Sequence, residues 1–280
     1  MKKFKNFALK RPILFGLSFI VIYALVAALA YPVHFLFPEN GVGQIFGETA
    51  NKLIVFGVFV LLLWRFGWLK SSGLTGKGSW KIWLITAVVL VYMGVLELYA
   101  FTGSLTLSFP DPPLALANLA LGFGTGLVEE TLYRAVVLIA MISAWGHTKK
   151  GIVKAVALSS ILFGMTHLLN LMIRPWQVVL FQALVVSLPG IFYGALVLSG
   201  KSLWPAILIH WLTNAVVNVQ VIAIEGFQEA TAMWIVFAIG LIPVIVYSAY
   251  LIRKLPFFYA YEAEETEKPL MRTRKAQAGT

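Results

Sequence analysis

The chain is dominated by eight apolar runs, each close to the length of about 20 residues that carries a helix across a hydrocarbon core of about 30 Å. They fall at residues 12–37, 52–69, 79–101, 113–145, 151–172, 176–200, 203–223 and 231–252. A chain built this way has little left with which to cover a water-facing particle. Residues of the set AVILMFWYC make up 60% of the 280, against roughly 45–50% apolar in soluble domains, and Asp, Glu, Lys and Arg only 12% against roughly 25%. Intrinsic disorder is excluded by the same apolar surplus. The expected fold is therefore all-α: a polytopic integral membrane protein of about eight transmembrane helices. With no cysteine in the chain, disulfide scaffolds, cysteine zinc sites, iron–sulfur clusters and thiol nucleophiles are all excluded.

A net charge of +10 would suggest nucleic acid as partner in a soluble protein. Here the basic residues sit at the ends of the apolar runs, which is the pattern of membrane orientation. Placing the N-terminus inside puts all but three of the 22 basic residues on the cytoplasmic side; the exceptions are Lys52 and Arg174, assigned outside, and Arg134, within a run. Both termini are then cytoplasmic, and no nucleic-acid role is required. The lipid bilayer is the first partner the sequence implies, and in a prokaryotic host this is the plasma membrane. Ala28-Leu29-Ala30 imitates a signal-peptide cleavage site, but the apolar character continues to Phe37, and an uncleaved first span is expected.

Ionisable groups inside such runs cost at least roughly 2.5–3.5 kcal/mol each on insertion scales, so they need a partner or a task. The fourth run holds Glu129, Glu130 and Arg134 near its middle. Glu130 and Arg134 are four apart, in the favourable order for a pair on one helix face, while Glu129 is turned by about 100°. Glu129 is thereby left without a counter-charge on its own helix and is a candidate general base; a buried ion triad that only fixes packing suits the same spacing. The fifth run offers Phe163-x-x-x-His167 with Asn170 beyond, and the seventh His210-x-x-x-Asn214 with Asn218 on the same stripe. A His with an Asn amide one turn on supplies two donors for a developing oxyanion. The same imidazoles, with Glu129, are also potential metal ligands.

Glu129-Glu130-x-x-x-Arg134, Phe163-x-x-x-His167 and His210-x-x-x-Asn214, in this order, resemble the three motifs of the CAAX protease and bacteriocin-processing intramembrane peptidases, which include the type II CAAX prenyl endopeptidases. The resemblance covers about residues 113–220. It divides the chain into three N-terminal spans (1–111), a catalytic core (112–223), a last span (224–253) and a polar cytoplasmic tail (254–280). It implies an endopeptidase in which Glu129 and His167 activate a water, His210 and Asn214 stabilise the oxyanion, and Glu130 with Arg134 holds the first motif in place. No cofactor is required in that scheme. Zinc or another divalent metal is the alternative, with Glu129, His167 and His210 as ligands and an open position for the nucleophile. The implied partner is a peptide or protein substrate: a prenylated C-terminus, a peptide signal or a bacteriocin precursor. A non-catalytic membrane scaffold or immunity protein and a transporter are the competing classes.

Three further expectations concern the surroundings. A polar cavity enclosed by the fourth to seventh runs is expected to be lined by Ser159, Ser160, Thr166, Asn170 and Asn218. Pro189-Gly190 is expected to kink the sixth run and open lateral access. Glu97 and His34 read as interfacial or packing residues.

Overall fold

The structure is a computed structural model describing residues 2–105, 111–222 and 230–256. The tail beyond residue 256, including its acidic and basic clusters, and Pro110 lie outside the described residues. Helices account for the architecture: α1 (Lys2–Lys10), α2 (Pro12–Ala30), α3 (Gly41–Arg65), α4 (Trp80–Thr102), α5 (Pro112–Glu130), α6 (Ile139–Trp145), α7 (Lys149–Thr166), α8 (Trp176–Gly200), α9 (Trp204–Ile222), α10 (Thr231–Gly240) and α11 (Ile242–Lys254). Tight 3₁₀ turns extend α2 through Tyr31–Leu36 and α7 through His167–Met172. Among the described residues there is no strand.

Local chemistry sets the helix ends. The side chains of Asn40, Ser79 and Thr148 accept from the backbone N–H groups of Gly43, Ile82 and Gly151, satisfying donors that a helix start leaves open. Gly103, at φ 69°, closes α4 in the left-handed conformation that glycine adopts without penalty. The Asn40 cap starts the second long helix at Gly41, well before the expected residue 52. Lys52, assigned to an external loop, is therefore intrahelical and pairs with Glu48 at 3.5 Å.

Five helices are long and apolar enough to cross a membrane, and α10 with α11, bent by 45° at their junction, make a sixth. The other two expected crossings are α5 with its continuation, and α9. Both carry the polar residues singled out above, and both are packed inside the bundle, where protein side chains replace lipid as their surroundings. Gly122 and Gly126 lie four apart on α5 and bring its backbone against α9: a Cβ at Gly126 would sit 3.2 Å from the Ile207 carbonyl oxygen, and one at Gly122 3.1 Å from the Ala215 Cβ. Close backbone approach through small residues is what holds membrane helices together in the absence of a hydrophobic drive between them. Outward-facing Leu29, Leu61, Val88 and Leu184 are exposed, as a lipid-contacting surface requires. Trp64 and Trp80 are exposed near the helix ends, whereas Trp68 is buried against Phe15 and Phe66.

The α5–α9 seam makes a direct prediction. Gly126→Leu drives a side chain into the α9 backbone and should destabilise the protein by about 1–3 kcal/mol. Thermal unfolding in detergent measures this, and an unshifted midpoint would mean that the two helices are not packed through this face.

Candidate active site

The acidic motif closes α5, and the chain then enters a π-helix, Thr131–Leu138, before returning to α-helix at Ile139. Every residue of this π-segment is buried. π-Turns are rare and concentrate at functional sites; the i, i+4 spacing of the sequence gave no sign of one. The expected pair nevertheless forms. Arg134 Nε lies 3.2 Å from Glu130 Oε2, with both side chains fully buried. Its direction is not that of a hydrogen bond, so charge rather than a shared proton joins the two.

Three aromatic rings complete the surroundings of Arg134. Its guanidinium carbon stands 4.6 Å from the Phe163 ring, 5.5 Å from Tyr193 and 6.0 Å from Tyr133. A cation over ring faces gains more when water is excluded, and here the exclusion is complete. Arg134 Nη2 also donates to the Gly190 carbonyl oxygen at 3.2 Å. A Cβ on residue 190 would lie 2.9 Å from that same Nη2, so only glycine leaves room for the guanidinium. Pro189 and Gly190 thus sit inside an unbroken α8, with Pro189 in the cavity wall and Gly190 against Arg134. The expected interruption of the sixth run is not observed.

His210 is the hub. Its Nδ1 meets Glu130 Oε1 at 2.8 Å and its Nε2 lies 3.6 Å from Glu129 Oε2. An ionised carboxylate only accepts, so the nitrogen facing Glu130 carries a proton. The second separation exceeds a hydrogen bond and is one that a water in contact with both groups can bridge. Tyr193 stacks on the imidazole at 5.7 Å with only 15° between the planes, and Phe163 meets it edge-on. Glu129 is the exposed member of the cluster, its side chain 24% accessible where those of Glu130 and Arg134 are at zero. The face sorting inferred from spacing is therefore reproduced: Glu130 is neutralised within its helix, and Glu129 is presented outward.

His167 and Asn214 join His210 in the wall of one cavity of about 240 Å³, which also includes Glu97, Gln182, Asn218 and Tyr193. At about 30 Å³ per molecule, this is room for several waters. His167 begins the 3₁₀ turn that follows α7, and its Nδ1 approaches the Phe163 carbonyl oxygen at 3.2 Å. The described ion pairs of Glu129 run to His210 rather than to His167. For a metal, the candidate ligands Glu129, His167 and His210 do not close into a three-donor group among the described residues; only Glu129 and His210 approach within 4 Å. No chemical step is derived through a metal here.

Several surrounding expectations need correction. Ser159 and Ser160 hydrogen-bond to the Val156 carbonyl of their own helix at 3.0 and 2.8 Å, which draws both hydroxyls away from the cavity. Thr166 bonds back to Phe163 and accepts from Tyr133. Asn170 donates to Gln182 at 2.9 Å, because the tightening from α- to 3₁₀-helix takes it off the His167 face. Of the five expected residues, Asn218 lines the cavity. Glu97, read as interfacial, is buried at 8% exposure in the cavity wall. The wall also takes Phe101 from α4 and Trp234 and Phe237 from α10, so it extends beyond the fourth to seventh runs.

Comparison with known families is consistent with this arrangement. Residues 111–216 match the family model described as type II CAAX prenyl endopeptidase Rce1-like. This segment is an Rce1-like domain. It contains Glu129, Glu130, Arg134, His167, His210 and Asn214 together, while Glu97, Trp234 and Phe237 are contributed from outside it. No curated protein and no solved structure matches the chain. An Rce1-like domain within several membrane-length helices makes this a protease-type integral membrane protein.

The Arg134 environment is open to test. Arg134→Gln leaves Glu130 buried without its counter-charge and should cost about 3–5 kcal/mol in stability, read by denaturant or thermal unfolding in detergent. Gly190→Ala should displace the guanidinium and lower turnover while the fold persists; wild-type activity in that variant would show that the close approach at residue 190 has no bearing on the site.

Proposed function

We propose that the protein is an intramembrane endopeptidase in which Glu129 is the general base toward a water held in the polar cavity. The observation that carries this reading is the bracketing of His210 by both carboxylates of one helix, with Glu129 the one presented outward. Glu129 takes a proton from the water as it attacks the peptide carbonyl, and His167, in the same cavity wall as His210, assists in orienting that water. Glu130 and Arg134 hold the motif: Glu130 fixes the His210 ring through Nδ1, and Arg134 balances the charge of Glu130.

As the tetrahedral intermediate forms, negative charge collects on the former carbonyl oxygen. His210, doubly protonated between its two carboxylates, donates from Nε2, and Asn214 donates from its amide one turn along α9. Two fixed donors in a site with little bulk water stabilise that charge without reorganising at the moment of reaction. Collapse of the intermediate returns the proton to the leaving amine, leaving a new carboxylate and a new amine and restoring Glu129 to its ionised form. The substrate is a peptide or protein that reaches the membrane-embedded site in extended form; the resemblance to prenyl endopeptidases, peptide-signal processing and bacteriocin-processing proteins supplies the candidate classes. Multi-pass insertion in the membrane is the setting all of them share.

Glu129→Gln keeps size and polarity but removes the base. It should lower peptide cleavage by about 10²–10⁴-fold while expression and unfolding stay close to wild type. Retained biological activity in that variant would replace the protease reading with a scaffold. Asn214→Ala should slow turnover by about 10²–10³-fold, the range for one oxyanion donor. Elemental analysis of the purified protein, with turnover measured before and after chelation, decides between the two activation schemes. Stoichiometric zinc together with loss of turnover on chelation would assign Glu129, His167 and His210 as ligands instead.

A further inference from the structure

The two ends of the helical bundle differ in charge, and the cavity belongs to only one of them. The connectors that carry basic residues are gathered at one end. Trp204 Nε1 donates to the Leu74 carbonyl oxygen at 2.9 Å, Leu203 N to Gly73 O at 3.0 Å and Ser202 Oγ to Gly76 O at 2.6 Å, which joins the Lys70–Lys77 segment to Lys201. Lys149 Nζ donates to the Arg253 carbonyl oxygen at 3.1 Å, which joins the start of α7 to the end of α11. Exposed Lys70, Lys77, Lys149, Lys150, Lys201 and Arg253 thus mark a single basic end.

The cavity wall is drawn from the other end. Glu97 and Phe101 occupy the last turns of α4, which starts at the basic end. Gln182 and Val186 lie in the first half of α8, which finishes at the basic end beside Lys201. Asn218 lies in the far half of α9, and Arg174 in the connector leading into α8. Tyr193 and His210 are the deepest members of the wall, toward the basic end. No residue of the basic connectors contributes to the wall.

Short loops rich in Lys and Arg remain on the cytoplasmic side of a membrane. From the position of the cavity relative to those loops, we infer that the site opens to the non-cytoplasmic side and that its substrate is an extracytoplasmic stretch of a membrane-bound or exported peptide. A cytosolic C-terminus would have to pass the plug of packed side chains below His210 to reach it: Leu138, Leu196 and Ile207 are all buried there. The identity of what is cut rests on the protease reading above, whereas the side on which the cavity opens does not.

The chain has no cysteine, so single cysteines can report access without background. Full-length Arg174→Cys and Asn218→Cys, at the cavity mouth, and Lys201→Cys, at the basic end, are expressed in bacterial cells and treated with a membrane-impermeant maleimide before and after permeabilisation. The mouth variants should label in intact cells, and Lys201→Cys only after permeabilisation. Two mouth positions guard against one variant failing to fold, and the reverse pattern overturns the inference whatever the activity. In a second arm, membranes bearing wild-type protein are compared with those bearing Glu129→Gln for peptides that persist uncut. Persisting peptides from extracytoplasmic segments support the substrate class, and persisting cytosolic C-termini overturn it. If the labelling holds and no peptide persists, the protease reading fails and the substrate class falls with it, but the sidedness of the cavity stands.

Discussion

A guanidinium sealed from water within a membrane helix must be matched in charge and surrounded by groups that replace its hydration. Arg134 meets both demands. Glu130 supplies the opposite charge at 3.2 Å, the Gly190 carbonyl accepts from one nitrogen, and three aromatic faces take the place of water. The other parts of the site follow from that arrangement. Glu130, with one oxygen near Arg134, offers its second to His210, and His210 is thereby aimed at Glu129. The cost of a charge in lipid becomes, once paired, a rigid frame for the catalytic groups.

The frame extends across elements with no polar motif of their own. Glycines at positions 122 and 126 let α5 and α9 approach until the carboxylates of one reach the imidazole of the other. α8 passes behind both, supplying Gly190 to the arginine and Tyr193 to the face of His210. α4 and α10, outside the segment that matches the prenyl endopeptidase family, close the cavity with Glu97, Phe101, Trp234 and Phe237. The reacting groups therefore sit in the shared domain, and part of the wall that meets the substrate does not.

Much of this was legible before any coordinates. Apolar run length and the distribution of lysine and arginine announced a polytopic helical protein, and i, i+4 spacing separated Glu130, neutralised by Arg134, from Glu129. Spacing along one helix cannot show what another helix brings, and that is where the reading stopped. Tyr193 and Gly190 are an aromatic and a glycine in an apolar run, with no sequence signal to distinguish them from packing. Glu97 read as an interfacial residue because it lies near the end of its run, yet the turn on which it sits faces inward. Ser159 and Ser160 suggested a polar lining, but a hydroxyl that can bond to its own helix needs no cavity. The one available signal for a larger cavity was the density of polar residues on α9, the same residues that make it less apolar than its neighbours.

The π-helical stretch from Thr131 to Leu138 sets a tolerance that the rest of the molecule does not share. A π-turn holds one residue more than an α-turn, so losing a single amino acid there would let the backbone relax into its commoner form with its amide ladder whole. The loss would be one of phase: α6 would be turned by about 100° against its neighbours, and Met141 and Ile142, now inward, would swing toward lipid. In an ordinary surface loop such a deletion passes unnoticed. Here the number of residues between the acidic pair and the basic turn at Lys149 acts as a vernier, coupling the aim of the carboxylates to the seating of the helix beyond them.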